Sequence, residues 1–290
     1  MILYDLLLAP FVDYAFMRRA LVGCLALSMG CGPIGILLLL RRMSLMGDAL
    51  SHAVLPGAAA GFVVAGLSVG AMSVGGFVAG LSVALLAGLV TRATPLREDA
   101  SFAAFYLSSL ALGVLLVSLH GSNIDLLHVL FGSVLAIDDA ALLLVGCITS
   151  VTLIGLAVIY RPLVVECFDP GFLRVQGADG GRYHLVFLVL VVLNLVASFQ
   201  ALGTLMAVGL MMVPAAAARF WGGEVWTLAA LGTGIAFASS CLGLLASFHL
   251  GLPSGPAIVL TASALYVLSV LLGPQGGVLR RFRRVRHLEA

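Results

Sequence analysis

Long apolar runs alternate with short polar breaks along this chain, and the runs have the length of membrane-crossing helices. They cover residues 20–40, 50–67, 70–90, 101–119, 138–160, 183–201, 203–220, 225–247 and 254–273. A hydrocarbon core of about 30 Å needs roughly 20 apolar residues in helical form. The breaks at Gly66–Gly75 and Ala201–Gly203 are short enough to be tight turns or kinks, so eight or nine spans are expected. Weak alternation with a period of two would mark barrel strands, and it is absent. The expected fold class is all-α, a polytopic helical bundle forming a single transmembrane domain over residues 1–290.

Composition supports this. The chain is 62% hydrophobic and 10% charged, with a mean hydropathy of +1.18. A soluble domain carries about 25% charged residues. The opening "MILYDLLLAP" lacks a basic start and a small-residue cleavage site, so the first span is expected to direct insertion itself.

All fifteen basic residues are arginine. A Walker A loop reaches nucleotide phosphates with a lysine, so a self-contained P-loop ATPase is excluded. Arg41 and Arg42, Arg92 and Arg97, Arg161 with Arg174 and Arg182, Arg219, and the run "RRFRRVRH" at 280–287 fall at every second boundary. Cytoplasmic loops collect arginine, which puts these breaks and the C-terminus in the cytoplasm. Arg18 and Arg19 fall on the opposite side, leaving the N-terminus unassigned.

Two connections stand out. "GSNIDLLHVLFGSVLAIDD" at 121–139 is too apolar for a plain outer loop and suits an interfacial or re-entrant helix. "RPLVVECFDPGFLRVQGADGGR" at 161–182 is the longest cytoplasmic connection. Its Glu166, Phe168, Asp169, Phe172, Leu173 and Arg174 suit a short amphipathic helix offering a face to another protein, with a solvated loop as the alternative.

The sharpest chemistry lies in "SLMGDALSHAVLPG", residues 44–57, where Asp48 is the only charged side chain between Arg42 and Arg92. In a helix, Asp48 and His52 project from one face one turn apart. A carboxylate in the hydrocarbon region costs about 2.5–3.5 kcal/mol on insertion scales, so such a group normally faces a bundle interior and serves a function. Carboxylate plus imidazole suits Zn²⁺ or Mn²⁺. Pro56 removes a backbone donor from the carbonyl of His52 and argues for an opened helix there. A structural Asp–His clasp and a proton relay are the alternatives.

Other polar groups carry less. His120, Asp125 and His128 flank the outer loop, Asn194 and Gln200 read as helix–helix hydrogen bonds, and His249 sits at an outer boundary. Cys24, Cys31, Cys147, Cys167 and Cys241 show no CxxC spacing and read as small hydrophobes. No HExxH zinc-protease signature occurs.

"SLMGDALSHAVLPG" strongly resembles the signature of the ATP-binding-cassette permeases that import zinc, manganese or iron. "LFGSVL" at 130–135, "FDPGFLRVQG" at 168–177 and "GTLMAVGLMMVPAAAAR" at 203–219 resemble the same family in the same order, from about Phe11 to Gly273. The resemblance implies a bacterial cell-membrane permease that dimerises and pairs with a cytoplasmic ATP-binding subunit. It also implies delivery of metal by an extracytoplasmic binding protein. Asp48 and His52 would coordinate the cation in transit, and no permanent cofactor, catalytic residue or nucleic acid is implied. "FDPGFLRVQG" would be the helix that meets the ATPase, through Phe168, Asp169, Phe172, Arg174 and Gly177. The rivals are a permease for a siderophore or corrinoid, a proton-coupled secondary transporter, and an intramembrane enzyme.

Overall fold

The computed structural model describes residues 4, 7–66, 68–96, 98–119, 137–168 and 180–279. These residues form α1 (Ala9–Asp13), α2 (Ala15–Leu40), α3 (Ser44–Ala65), α4 (Val69–Ala93) and α5 (Glu98–Leu119). They continue as α6 (Asp139–Phe168), α7 (Gly180–Leu202), α8 (Thr204–Ala218), α9 (Val225–Leu250) and α10 (Ser254–Leu272). Each of the nine apolar runs is a helix. Eight are long and apolar enough to cross a membrane. The ninth, α8, has 15 residues and spans about 22 Å at 1.5 Å per residue. It is mostly buried among α2, α3, α7, α9 and α10, so protein rather than lipid surrounds it.

The bundle is built on α2 and α7, the spans most enclosed by protein. One group, α3, α4 and α5, packs together on one side, and α8, α9 and α10 form a second group. α6 rests on α2 and α7. Lipid tails are as apolar as leucine, so helices associate here through close packing and polar contacts. The close packing uses glycine. Gly35 of α2 lies against the Met211 carbonyl of α8, and Gly243 of α9 lies against the backbone of Ile258 on α10.

Polar contacts fasten α6. Asn194 of α7 is fully buried, and its Nδ2 donates to Thr152 Oγ1 on α6 at 2.6 Å and to Leu190 O at 2.9 Å. Asn194 is therefore a helix–helix hydrogen bond, as its position in an apolar run suggested. Asp138 Oδ1 accepts from the Ala141 backbone at 2.8 Å and caps the start of α6.

The described arginine-bearing boundaries gather at one end of the bundle. The end of α2 with Arg41 meets the end of α6 and the start of α7 through Glu166 and His184. Near the same end, Ile36 of α2 clusters with Ala215 and Ala218 of α8 and Leu228 of α9. Gln275 donates its backbone N–H to Phe220 O at 2.9 Å, bringing the end of α10 alongside Arg219. Arg18 and Arg19 sit at the opposite end of α2. Arg19 pairs with Asp139 at 3.3 Å, and Arg18 donates to Val12 O at 2.6 Å.

Three features differ from expectation, the first being that α3 starts at Ser44, six residues before the expected start at residue 50. α6 continues through Pro162 to Phe168, two turns beyond the expected end at residue 160. Leu163 is fully buried and Glu166 is held by Arg41 at 2.6 Å, so packing and an ion pair carry the helix past the proline. α3 runs unbroken from Ser44 to Ala65 with Pro56 inside it, which corrects the expectation of an opened helix. Gly113 of α5 leaves room for the Pro56 ring, because a side chain there would meet the ring at 2.8 Å.

Candidate functional site

Asp48 and His52 sit on the first three turns of α3, beside the arginine-rich end. Helical spacing brings them together, with His52 Nε2 3.7 Å from Asp48 Oδ1. That separation is too long for a direct hydrogen bond and leaves both groups turned to the same space. Tyr106 of α5 stacks on the imidazole with 6.2 Å between ring centroids and 26° between planes. His52 Nδ1 is buried without a hydrogen-bond partner among the described residues, which leaves Nε2 as the nitrogen facing Asp48.

The surroundings set the chemistry. Ala49, Leu50 and Ala53 bury the opposite face of α3 against the core, while Leu45, at 72% exposure, and Asp48 point outward. The Asp48 side chain is 58% exposed and that of His52 35%. An outward acid one turn inside an apolar helix needs a partner or an aqueous path, since facing lipid is costly. Among the described residues no cluster of three or more His, Cys, Asp or Glu side chains could enclose a metal ion. One chain therefore brings one carboxylate and one imidazole to an open face, and a stable metal coordination sphere would need more.

The remaining residues singled out in the sequence divide. Phe168 ends α6 with an exposed ring, at 66%. Asp169, Phe172, Arg174 and Gly177 lie outside the described residues, as do His120, Asp125, His128 and the "LFGSVL" stretch. His249 is exposed at the end of α9, its ring edge-on to Phe248. Cys24 and Cys31 are buried, Cys147 is exposed, and all five cysteines are free thiols. The sequence reading missed Tyr106, because no single-chain signal marks one tyrosine of an apolar helix as the neighbour of a histidine 54 positions earlier.

Comparison with known proteins bears on the chain as a whole. The family profile described as the ABC 3 transport family matches residues 13–273. The manganese import system permease protein ScaB of Streptococcus parasanguinis is 32% identical over 273 residues, covering 93% of this chain and 96% of that protein. The chelated iron transport system membrane protein YfeD of Yersinia pestis is 30% identical over 93% of this chain and 89% of its own length. The solved structure of PsaBC from Streptococcus pneumoniae in complex with Fab superposes with a TM-score of 0.84 at 30% identity, covering 95% of this chain and 100% of that one. An inward-facing conformation of a metal-chelate type ABC transporter (described as putative) shares the fold, with a TM-score of 0.70 at 15% identity over 90% of this chain and 87% of that one.

Proposed function

This chain belongs to the ABC 3 transport family, and from that premise we propose that it is the permease of an ATP-driven divalent-metal importer whose path passes Asp48 and His52. The observation that carries the proposal is the outward acid–imidazole pair on α3, 3.7 Å apart in an otherwise apolar span. A bare divalent cation is the cargo such a pair suits, since a carboxylate oxygen and an imidazole nitrogen both bind Mn²⁺ or Zn²⁺. Iron falls within the same donor chemistry. A bulky chelate would shield its metal from these side chains, so a siderophore or corrinoid fits the pair less well.

The open face of α3 is where a second copy belongs. A two-fold interface places the same patch on both subunits. Two copies would face two carboxylates and two imidazoles across one axis, enough for a four-ligand sphere. Such pairing would also remove the cost of holding Asp48 against lipid.

Energy would come from elsewhere. A chain without lysine has no Walker A loop, so ATP hydrolysis belongs to a separate cytoplasmic subunit. The connection 169–179 is the natural contact for it, since both flanking helix ends lie at the arginine-rich end of the bundle. By the positive-inside bias this end and the C-terminus are cytoplasmic, and metal reaches the opposite end from an extracytoplasmic binding protein.

The test is uptake into liposomes holding this chain and its ATPase, with Mn²⁺ and Zn²⁺ supplied on the binding-protein side. ATP-dependent uptake that survives collapse of the pH gradient is expected. Uptake driven by a pH gradient without the ATPase would make the chain a secondary transporter instead.

A further inference from the structure

Arg41 closes α2, and its side chain reaches across to two other helices. Its guanidinium uses all three nitrogens. Nε donates to Cys167 Sγ at 3.3 Å, Nη1 to His184 Nδ1 at 2.8 Å and Nη2 to Glu166 Oε2 at 2.6 Å. The guanidinium also lies over Phe187, 5.0 Å from the ring centroid. Arginine is a donor only, so His184 accepts through an unprotonated Nδ1. The pair is enclosed, with 7% of the Arg41 side chain exposed and 15% of that of Glu166.

The placement of these partners gives the cluster its meaning. Glu166 and Cys167 stand at the last turn of α6, while His184 and Phe187 stand in the first turns of α7. Arg41 therefore fastens both ends of the connection 169–179 at one point. On its other side Arg41 leads through Arg42 and Met43 straight into Ser44, the first residue of α3. Arg42 has φ of 60°, a left-handed conformation that a residue with a Cβ adopts at a cost and only where its surroundings impose it. Asp48 follows one turn into α3. The tie is short and has little slack.

We infer that Arg41 is a positioning residue that joins the base of the 169–179 connection to the helix carrying Asp48 and His52, so that movement imposed on the connection reaches the metal pair. This rests on the reading that the connection meets the ATPase. An enclosed guanidinium suits the task because its fork holds several acceptors in fixed directions, which a lysine ammonium cannot do. A staple that serves folding alone would use the same contacts but would leave coupling untouched.

The experiment separates these roles. Arg41→Lys keeps the charge and loses the fork, and Glu166→Gln keeps a hydrogen-bond acceptor and loses the charge. Each is assembled with the ATPase and binding protein in liposomes, and Mn²⁺ transported per ATP hydrolysed is measured. The ratio is expected to fall at least fivefold while ATP hydrolysis stays within twofold of the unaltered transporter. An unchanged ratio in either assembled variant overturns the inference, including the case where uptake and hydrolysis fall in proportion. Should Arg41→Lys not assemble, the Glu166→Gln ratio decides by the same criterion. Phe172→Asp keeps the underlying reading separate. If it uncouples and the Arg41 and Glu166 variants do not, the tie is wrong and the docking assignment stands. If Phe172→Asp leaves uptake and hydrolysis unaltered, the docking assignment itself fails.

Discussion

Gly57 of α3 and Gly75 of α4 stand back to back, each so close that a side chain on either would strike the other's carbonyl oxygen. Gly61 meets the Ala71 carbonyl in the same way one turn along. Small residues four apart on both helices thus let the backbones touch, the arrangement that packs helices where lipid offers no hydrophobic drive.

The first prediction follows from that contact. Gly57→Ala should destabilise the protein by about 1–3 kcal/mol, because the methyl must push two backbones apart. Gly88→Ala on the open side of α4 has nothing among the described residues within 4 Å to strike and should be neutral or slightly stabilising. Thermal unfolding in detergent compares the two. Equal stability of both variants would mean that α3 and α4 are not in contact as described.

Tyr106 should hold the His52 ring in place. Tyr106→Leu keeps apolar bulk and loses the stacking, an interaction of about 0.5–1.5 kcal/mol between rings. The expected result is a several-fold higher KM for metal uptake, with assembly unaltered. An unchanged KM would remove Tyr106 from the site.

Phe172→Asp should uncouple transport from hydrolysis by placing a charge in the contact proposed for 169–179. Insertion of the permease should survive, since the connection is proposed to lie outside the bilayer on the cytoplasmic side. Stimulation of ATP hydrolysis by substrate-loaded binding protein is the readout, and its loss alongside lost uptake is expected.

Orientation has its own check. Ala290→Cys, in a chain whose native cysteines are replaced by serine or alanine, should resist an impermeant thiol reagent in sealed cells. Ready labelling would invert the bundle and move the gathered arginines to the outside.

Much of the fold is legible because a bilayer requires long apolar helices, and arginine and glycine stand at many of the points where they stop. The i, i+4 spacing of Asp48 and His52 is local, so helical geometry alone brings them together. Contacts between distant segments are another matter. The partners of Arg41 lie 125 to 143 positions away, and one arginine among several at helix ends carries no mark of its neighbours. The continuation of α6 through Pro162 is hidden for the same reason. Proline argues locally for a break, and the burial of Leu163 with the Glu166 ion pair overrides it. With 34 glycines in the chain, spacing alone cannot say that Gly57 and Gly75 meet while Gly88 stands free.

The central claim is that Asp48 and His52 hold the metal in transit, and Asp48→Asn tests it most directly. Asparagine keeps size and hydrogen bonding, loses the charge that attracts a divalent cation, and is cheaper to hold in a bilayer. A structural clasp would tolerate it, since an amide can still bond an imidazole. The measurement is ATP-dependent Mn²⁺ and Zn²⁺ uptake by liposomes in which the Asp48→Asn permease is assembled with its ATPase. Uptake of both ions should fall at least tenfold with assembly intact. Near-normal uptake by the assembled variant would contradict the metal path through Asp48.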